Sequence, residues 1–208
     1  IDKMYNGKLP AIWLANSYPS LMPLQSYIDD LVKRLNFFNA WIQDGIPTIF
    51  WLPSFYFTHA FLTGARQNFS RKNKFAVDEV GFEFEQLKKN DSRVKRKPDF
   101  GVYIYGLFLE GAKWSNNNMV LVESDPRVLY TEAPSMWLKP THRDQEKTKL
   151  DSNIYLYHAP LYKTSERRGV LATTGHSSNY IMPISLPSKS KAEHWIKRGV
   201  ALLATLDN

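Results

Sequence analysis

Cysteine is absent from the 208 residues, which excludes disulfide staples and thiolate metal sites. Long apolar runs are missing too: no stretch approaches the roughly 18 residues that a membrane-crossing helix needs. Ile1-Asp-Lys-Met-Tyr5 has neither the basic start nor the apolar stretch of a secretory leader. The start therefore reads as a boundary inside a longer chain, and an intracellular, reducing setting fits. Catalytic signatures are scarce as well. There is no Gly-x-Ser-x-Gly elbow and no His-Glu-x-x-His pair among His59, His142, His158, His176 and His194. Gly169-Val-Leu-Ala-Thr-Thr-Gly-His-Ser-Ser178 imitates a phosphate loop, but it has five residues between its glycines and His176 where lysine is required. No catalytic, cofactor-binding or metal-ligating residue is expected, and no cofactor.

Aromatic residues are abundant: 6 Trp, 11 Tyr and 12 Phe, or 14% of the chain. Side chains of that size supply most of the buried area in cores and interfaces. The formal net charge is +7, which favours acidic partners. Part of the excess sits in Lys88-Lys-Asn-Asp-Ser-Arg-Val-Lys-Arg-Lys97, a run that reads as a solvated loop between apolar segments.

Leu24, Ile28, Leu31, Leu35, Phe38 and Ile42 recur at steps of three and four, which predicts a helix over about 21–44 with those six on its buried face. Ser20 is its expected cap, Pro23 suits the first turn, and Gly45 with Pro47 ends it. Asp29 with Lys33 and Asp30 with Arg34 are expected as ion pairs on the outer face. A short strand over Thr48–Leu52 precedes a second helix over about 54–73, whose Gly64 suggests close packing. From Val80 the period falls to two. Phe100–Leu109 reads as one strand apolar on both faces. Ser115–Asn118 turns into Met119–Glu123, and further strands are expected at Ser135–Lys139, Ile154–Tyr162, Asn179–Leu186 and Val200–Leu206. Pro160 and Pro183 are expected at an edge or a bulge. Helices first and strands second give an α+β class: a helical half over 1–78, then an antiparallel, incomplete β-barrel over 79–208.

Six segments in one order carry a family resemblance across the whole sequence. They are Trp41-Ile-Gln-Asp-Gly-Ile-Pro-Thr-Ile-Phe-Trp-Leu52, Phe61-Leu-Thr-Gly64, Gly101-Val-Tyr-Ile-Tyr-Gly-Leu-Phe-Leu-Glu-Gly-Ala-Lys-Trp114, and Val128-Leu-Tyr130 with Trp137-Leu-Lys-Pro140. Pro160-Leu-Tyr-Lys-Thr-Ser-Glu-Arg-Arg-Gly169 with Ala172-Thr-Thr-Gly-His-Ser-Ser178, and His194-Trp-Ile-Lys-Arg-Gly-Val-Ala-Leu-Leu203, complete the set. This pattern resembles the C-terminal domain of dynein heavy chains of the axonemal type. The resemblance implies a helical half, an incomplete barrel and a short helix near Lys191–Lys197 before the last strand. It also implies a non-catalytic regulatory or structural module lying on the AAA+ ring of a motor. The ring modules of the same heavy chain would be its partners. In the full motor these are joined by microtubules and by intermediate and light chains, in the cytoplasm, cytoskeleton and ciliary or flagellar axoneme. Candidate ring-facing residues are Arg66, Arg71, Arg167, Arg168, Trp195, Lys197 and Arg198. A docking face of this kind predicts exposed apolar surface beyond that of an ordinary monomer. The competing expectation is a stand-alone basic barrel that binds nucleic acid or an acidic partner. Against nucleic acid, Phe100–Leu109 carries aromatics without interleaved basic residues; neither nucleic acid nor a membrane is expected as a partner.

Overall fold

A computed structural model describes residues 2–8, 10–16, 18, 20–142, 153–166 and 179–206. Two short helices, α1 (Asp2–Tyr5) and α2 (Ala11–Asn16), precede the long α3 (Leu24–Asp44). Ser20 does not cap α3. Its Oγ accepts from the Met22 N–H (3.2 Å) in the preceding turn, and Pro23 stands at the cap without a side-chain bond. Gly45 ends the helix at φ +88°, a conformation that costs a residue without Cβ little.

β1 (Ile49–Trp51) follows, and a buried 3-10 turn over Leu52–Ser54 delays α4 to Thr58–Asn73. The strands come next: β2 (Val80–Gln86), β3 (Val102–Tyr105), β4 (Phe108–Glu110), β5 (Ala112–Ser115), β6 (Val120–Glu123), β7 (Tyr130–Glu132), β8 (Met136–His142), β9 (Tyr155–Tyr162) and β10 (Tyr180–Ser188). The short α5 (Ala192–Lys197) leads into β11 (Ala201–Leu203). The class is α+β with helices ahead of strands and a short helix before the last strand, as expected.

The strands form two sheets, in the orders β1-β3-β8-β2 and β5-β6-β10-β9-β11-β4-β7. Pairing is mixed rather than wholly antiparallel, because β1–β3, β6–β10 and β9–β11 run parallel. Each of those pairs is joined by a long crossover, which is what parallel neighbours require. The larger sheet curls toward closure. The Thr131 hydroxyl on β7 donates to the Ala112 carbonyl of β5 (2.9 Å), and the Gly111 N–H donates to Leu129 O (2.9 Å). Side-chain and isolated backbone bonds thus stand in for a ladder at the last gap, and the barrel stays incomplete.

Two local expectations change. Phe100–Leu109 is not one strand: Gly106, at φ +91°, breaks it, sending β3 into the smaller sheet and β4 into the larger. Each half then covers only its own sheet's core face. Pro160 and Pro183 sit directly opposite each other in β9 and β10, two interior strands of the larger sheet. Opposed residues of an antiparallel pair exchange either two N–H bonds or none, so two donor-less prolines fit one narrow pair. A register shift beside them, between Tyr180 and Met182, supplies the bulge.

One apolar cluster runs through both sheets and takes in Phe50, Leu52 and Leu62 from the helical half. Burial of each such side chain is worth about 1.5–3 kcal/mol. Trp195 is 1% exposed at its centre and donates its indole N–H to the buried Ser188 Oγ (2.8 Å).

Candidate docking site

The helix α3 is amphipathic, and its most buried line is offset from the periodic expectation: of the six predicted positions Leu24, Ile28, Leu31 and Phe38 are half-buried, and Leu35 and Ile42 are exposed. Tyr27 and Arg34 are its buried residues, with Asp30, Phe37 and Trp41 on the same side. Leu35 is 53% and Ile42 82% exposed, and Val32 and Ile46 are exposed beside them. At 3.6 residues per turn the predicted apolar stripe lies about 100° round the helix from the buried one. Aromatic stacking explains the choice. Tyr27 stacks on Tyr18 (5.1 Å), and Trp41 meets Phe50 (5.3 Å) and Phe55 (6.2 Å). These rings bury more area and fit the core geometry better than the aliphatic stripe would. The α1–α2 region adds exposed Ile12, Trp13 and Tyr5.

Asp30 and Arg34 likewise lie inside rather than outside. Arg34 is 3% exposed, and its Nε donates to Asp30 Oδ2 (2.6 Å) while its Nη1 donates to the Pro53 carbonyl. The guanidinium lies over the Tyr18 ring (4.3 Å) and near Trp51 (5.7 Å) and Tyr56 (5.8 Å). Tyr18 donates its hydroxyl to Asp30 (2.8 Å), and burial together with that carboxylate pushes the phenol well above its ordinary value. This cradle bolts α3 to the turn after β1. An Asp/Arg spacing of four was its only sequence signal, and the same spacing serves surface pairs equally well.

The sequence-derived candidates fall into separate groups. Arg66 and Arg71 lie on α4: Arg71 is exposed, whereas Arg66 is half-buried with its Nε unpartnered, one turn before the equally unpartnered Ser70 Oγ. Lys197 closes α5 exposed, and Arg198 just beyond donates to Glu123 (2.9 Å), which also bonds His194 (2.6 Å). Trp195 is a correction: buried and bonded to Ser188, it anchors α5 from inside and offers no surface to a partner. Arg167 and Arg168 lie outside the described residues, as does His176.

No described group of three or more His, Asp or Glu residues could hold a metal. His158 and Ser185 face each other across β9 and β10 at 2.9 Å, yet among the described residues no carboxylate bonds this histidine. The pair there lacks the third group that orients a catalytic base.

The basic run after β2 is partly tethered. Arg93 binds both Glu85 (2.5 Å) and Asp91 (2.8 Å), and Lys139 of β8 also reaches Glu85. Burial works against ionising Glu85, but the hydrogen bonds from Lys139 and Arg93 outweigh it and hold the carboxyl below its ordinary 4.5. A depressed carboxyl adds stability above its unfolded value and loses it as pH falls through the folded one. Protection factors across 88–97, which compare each amide with its unprotected rate at the same pH, are expected to fall as pH drops below the ordinary carboxylate value of 4.5. Glu85→Gln is expected to remove Glu85's share of that fall and leave the share of Asp91. Protection factors in this loop that stay constant as pH falls through the carboxylate range in the wild type would show that the tether carries nothing.

The family model described as the C-terminal domain of dynein heavy chains matches residues 1–204. These residues belong to that family. The chain is 49% identical over 207 residues to "Dynein axonemal heavy chain 3" of Mus musculus, covering 100% of this sequence and 5% of the relative. It is 48% identical to "Dynein axonemal heavy chain 1" of Mus musculus over 98% of this sequence and 5% of the relative. With "Dynein axonemal heavy chain 12" of Homo sapiens it shares 48% identity over 97% of this sequence and 6% of that protein. It thus spans about one-twentieth of the length of these relatives.

Proposed function

We propose that these residues form a non-catalytic regulatory and structural domain that packs on the AAA+ ring of its own axonemal-type heavy chain. Docked there, the domain modulates ATP-driven, microtubule-based movement in a cilium or flagellum. ATP hydrolysis and track binding then belong to the rest of the heavy chain, along with intermediate and light chains as further partners. The observation that carries this proposal is the exposure of Leu35 and Ile42 on α3, a helix whose adjoining side holds the buried Tyr27 and Arg34. Exposed aliphatic side chains in a row mark contact surfaces. In this picture residues 1–78 form the docking half, and residues 79–208 form the barrel that holds it rigid. Arg66 and Arg71 on α4, and Lys197 and Arg198 at the end of α5, are proposed as basic contacts at separate points of the interface, and Arg167 and Arg168 for the same role.

The test compares ATPase rate, gliding velocity and stall force of the full motor with and without residues 1–208. Leu35→Asp/Ile42→Asp is the second arm, because exposed positions tolerate substitution within about 0.5 kcal/mol and the fold survives. Deletion and double substitution are expected to shift rate or force in the same direction. Unchanged values after deletion would leave a dispensable cap. A deletion effect that the double substitution fails to reproduce would move the docking face away from α3.

A further inference from the structure

Two cavities flank Ala133–Ser135, of about 450 and 350 Å³. Carboxylates line them as freely as lysines do: Asp30 and Glu132 stand with Lys33 in the first, and Asp91 and Glu132 with Lys88 and Lys89 in the second. Their charge therefore selects no ligand. The outer side of α3, by contrast, carries a pattern. Gln25, Ile28, Val32, Leu35, Asn39 and Ile42 follow one another at alternating steps of three and four, the a and d positions of three heptads. Every d position is aliphatic: Ile28, Leu35 and Ile42. At 3.6 residues per turn this line lies roughly 160° round the helix from Tyr27, Arg34, Phe37 and Trp41 on the core side. Val32, Leu35 and Ile42 are accordingly exposed.

Charge is missing from the same surface. No residue from Leu35 to Gln43 is charged, in a chain where charged residues make up 23%. The exposed members of that stretch, Leu35, Asn36, Asn39, Ala40, Ile42 and Gln43, offer aliphatic area and neutral hydrogen-bonding groups. Interface centres are depleted of charge in this way, whereas a helix face kept in water or laid on a membrane carries charged residues. Among the described residues the Asn39 side chain hydrogen-bonds only Gln43, one turn further along the same helix (3.5 Å). Its amide group is open to a partner.

Given the ring-docked state proposed above, on which this step rests, we infer that the seam of Val32, Leu35, Asn39 and Ile42 receives an amphipathic α-helix from another part of the same heavy chain. The partner helix carries aliphatic residues at alternating steps of three and four, and a neutral polar side chain opposite Asn39. A second helix crossing at about 20° keeps register with such a repeat. A strand, with its alternation of two, does not. A polar side chain at one a position fixes which register is taken. The seam and its flanks expose far fewer than the roughly 20–30 residues a side that hold free proteins together, so a second copy arriving from solution is disfavoured. Tethering supplies what area does not. The chain spans 5% of the length of its axonemal relatives, which leaves ample chain to provide the helix.

The test places an aliphatic amino acid bearing a diazirine in the full heavy chain, in place of Leu35, Asn39 or Ile42 one at a time. After irradiation the adducts are mapped by mass spectrometry. All three are expected on one segment outside residues 1–208. The Leu35 and Ile42 attachments are expected about seven residues apart, because the roughly 10 Å between those positions spans about seven residues of a helix. On an extended strand the same distance spans about three. Attachments about three residues apart, attachments scattered over several segments, or no adduct outside residues 1–208 would overturn the inference. So would adducts between isotope-labelled and unlabelled copies of residues 1–208. The deletion assay answers separately. A deletion effect without helical register keeps ring docking and removes only the helix; helical register without a deletion effect keeps the helix and removes the regulatory role.

Discussion

Gly106→Val is expected to leave little folded protein. At φ +91° an L-residue is strained by about 1–2 kcal/mol before any contact is counted. An added Cβ would also lie 2.3 Å from Trp51 Cδ1 and 2.6 Å from its Nε1. Trp51 has little space to retreat into: it is 6% exposed, its ring sits against Phe37 (6.3 Å), and Lys33 lies over it (4.4 Å). Strain and overpacking together amount to roughly 4 kcal/mol or more, a large share of the roughly 5–15 kcal/mol that holds typical domains together. Urea unfolding followed by tryptophan fluorescence reads the loss directly. The control is Gly64→Ala in α4, where nothing lies within 4 Å of the new methyl group and helix propensity gains about 1 kcal/mol. That open space also sets aside the close packing expected at Gly64. If the two variants unfold at similar urea concentrations, Gly106 is not the point at which the sheets separate.

Arg34→Ala is expected to cost about 3–5 kcal/mol, the usual penalty for removing one partner of a buried ion pair. The variant strands Asp30, whose side chain is only 11% exposed, and leaves the Pro53 carbonyl without its donor. It also removes the guanidinium from the Tyr18 ring. Adding Asp30→Asn should return at least about 1 kcal/mol, because the stranded group is then no longer a charge. Urea midpoints of the two singles and the double complete the cycle. A loss below about 1 kcal/mol for Arg34→Ala would mean that aromatic stacking alone holds α3 in place.

Much of the secondary structure was legible because its signals are local. The 3.6-residue period marked α3, alternation marked β2, and Gly45 marked a helix end where φ is positive. The order of helices and strands gave the α+β class, and the segment Ala192–Lys197 is indeed a short helix before β11. Sequence and structure part where two distant segments had to agree. Hydrophobic periodicity shows that α3 has an apolar stripe, but not that Tyr18, Trp51 and Phe55 would claim a different side of it. Asp30 and Arg34 have surface-pair spacing, and only the arrival of Pro53 and Tyr18 makes them internal. Phe100–Leu109 looks continuous because both faces are apolar; the break depends on Trp51 needing the space above Gly106.

The proposed docking residues divide along the same line. Lys197 and Arg71 are exposed, as charged residues at helix ends usually are. Trp195 had no local signal to separate an anchor from a contact, since its burial comes from the core cluster and its partner Ser188 lies at the end of β10. The two cavities beside Ala133–Ser135 were invisible for a related reason. One is lined from α3, β1 and the tail after β11, the other from β1, the β2–β3 loop and β5, segments that no sequence window joins.

By itself, the sequence determined the family, the class, most element positions and the lack of cysteine chemistry, since motifs, periods and composition are properties of neighbouring residues. Tertiary structure alone decided which side of α3 faces the core, where the two sheets part, and which charges are buried. Those outcomes rest on long-range competition for buried area, in which a few large aromatic rings outweigh a regular aliphatic stripe.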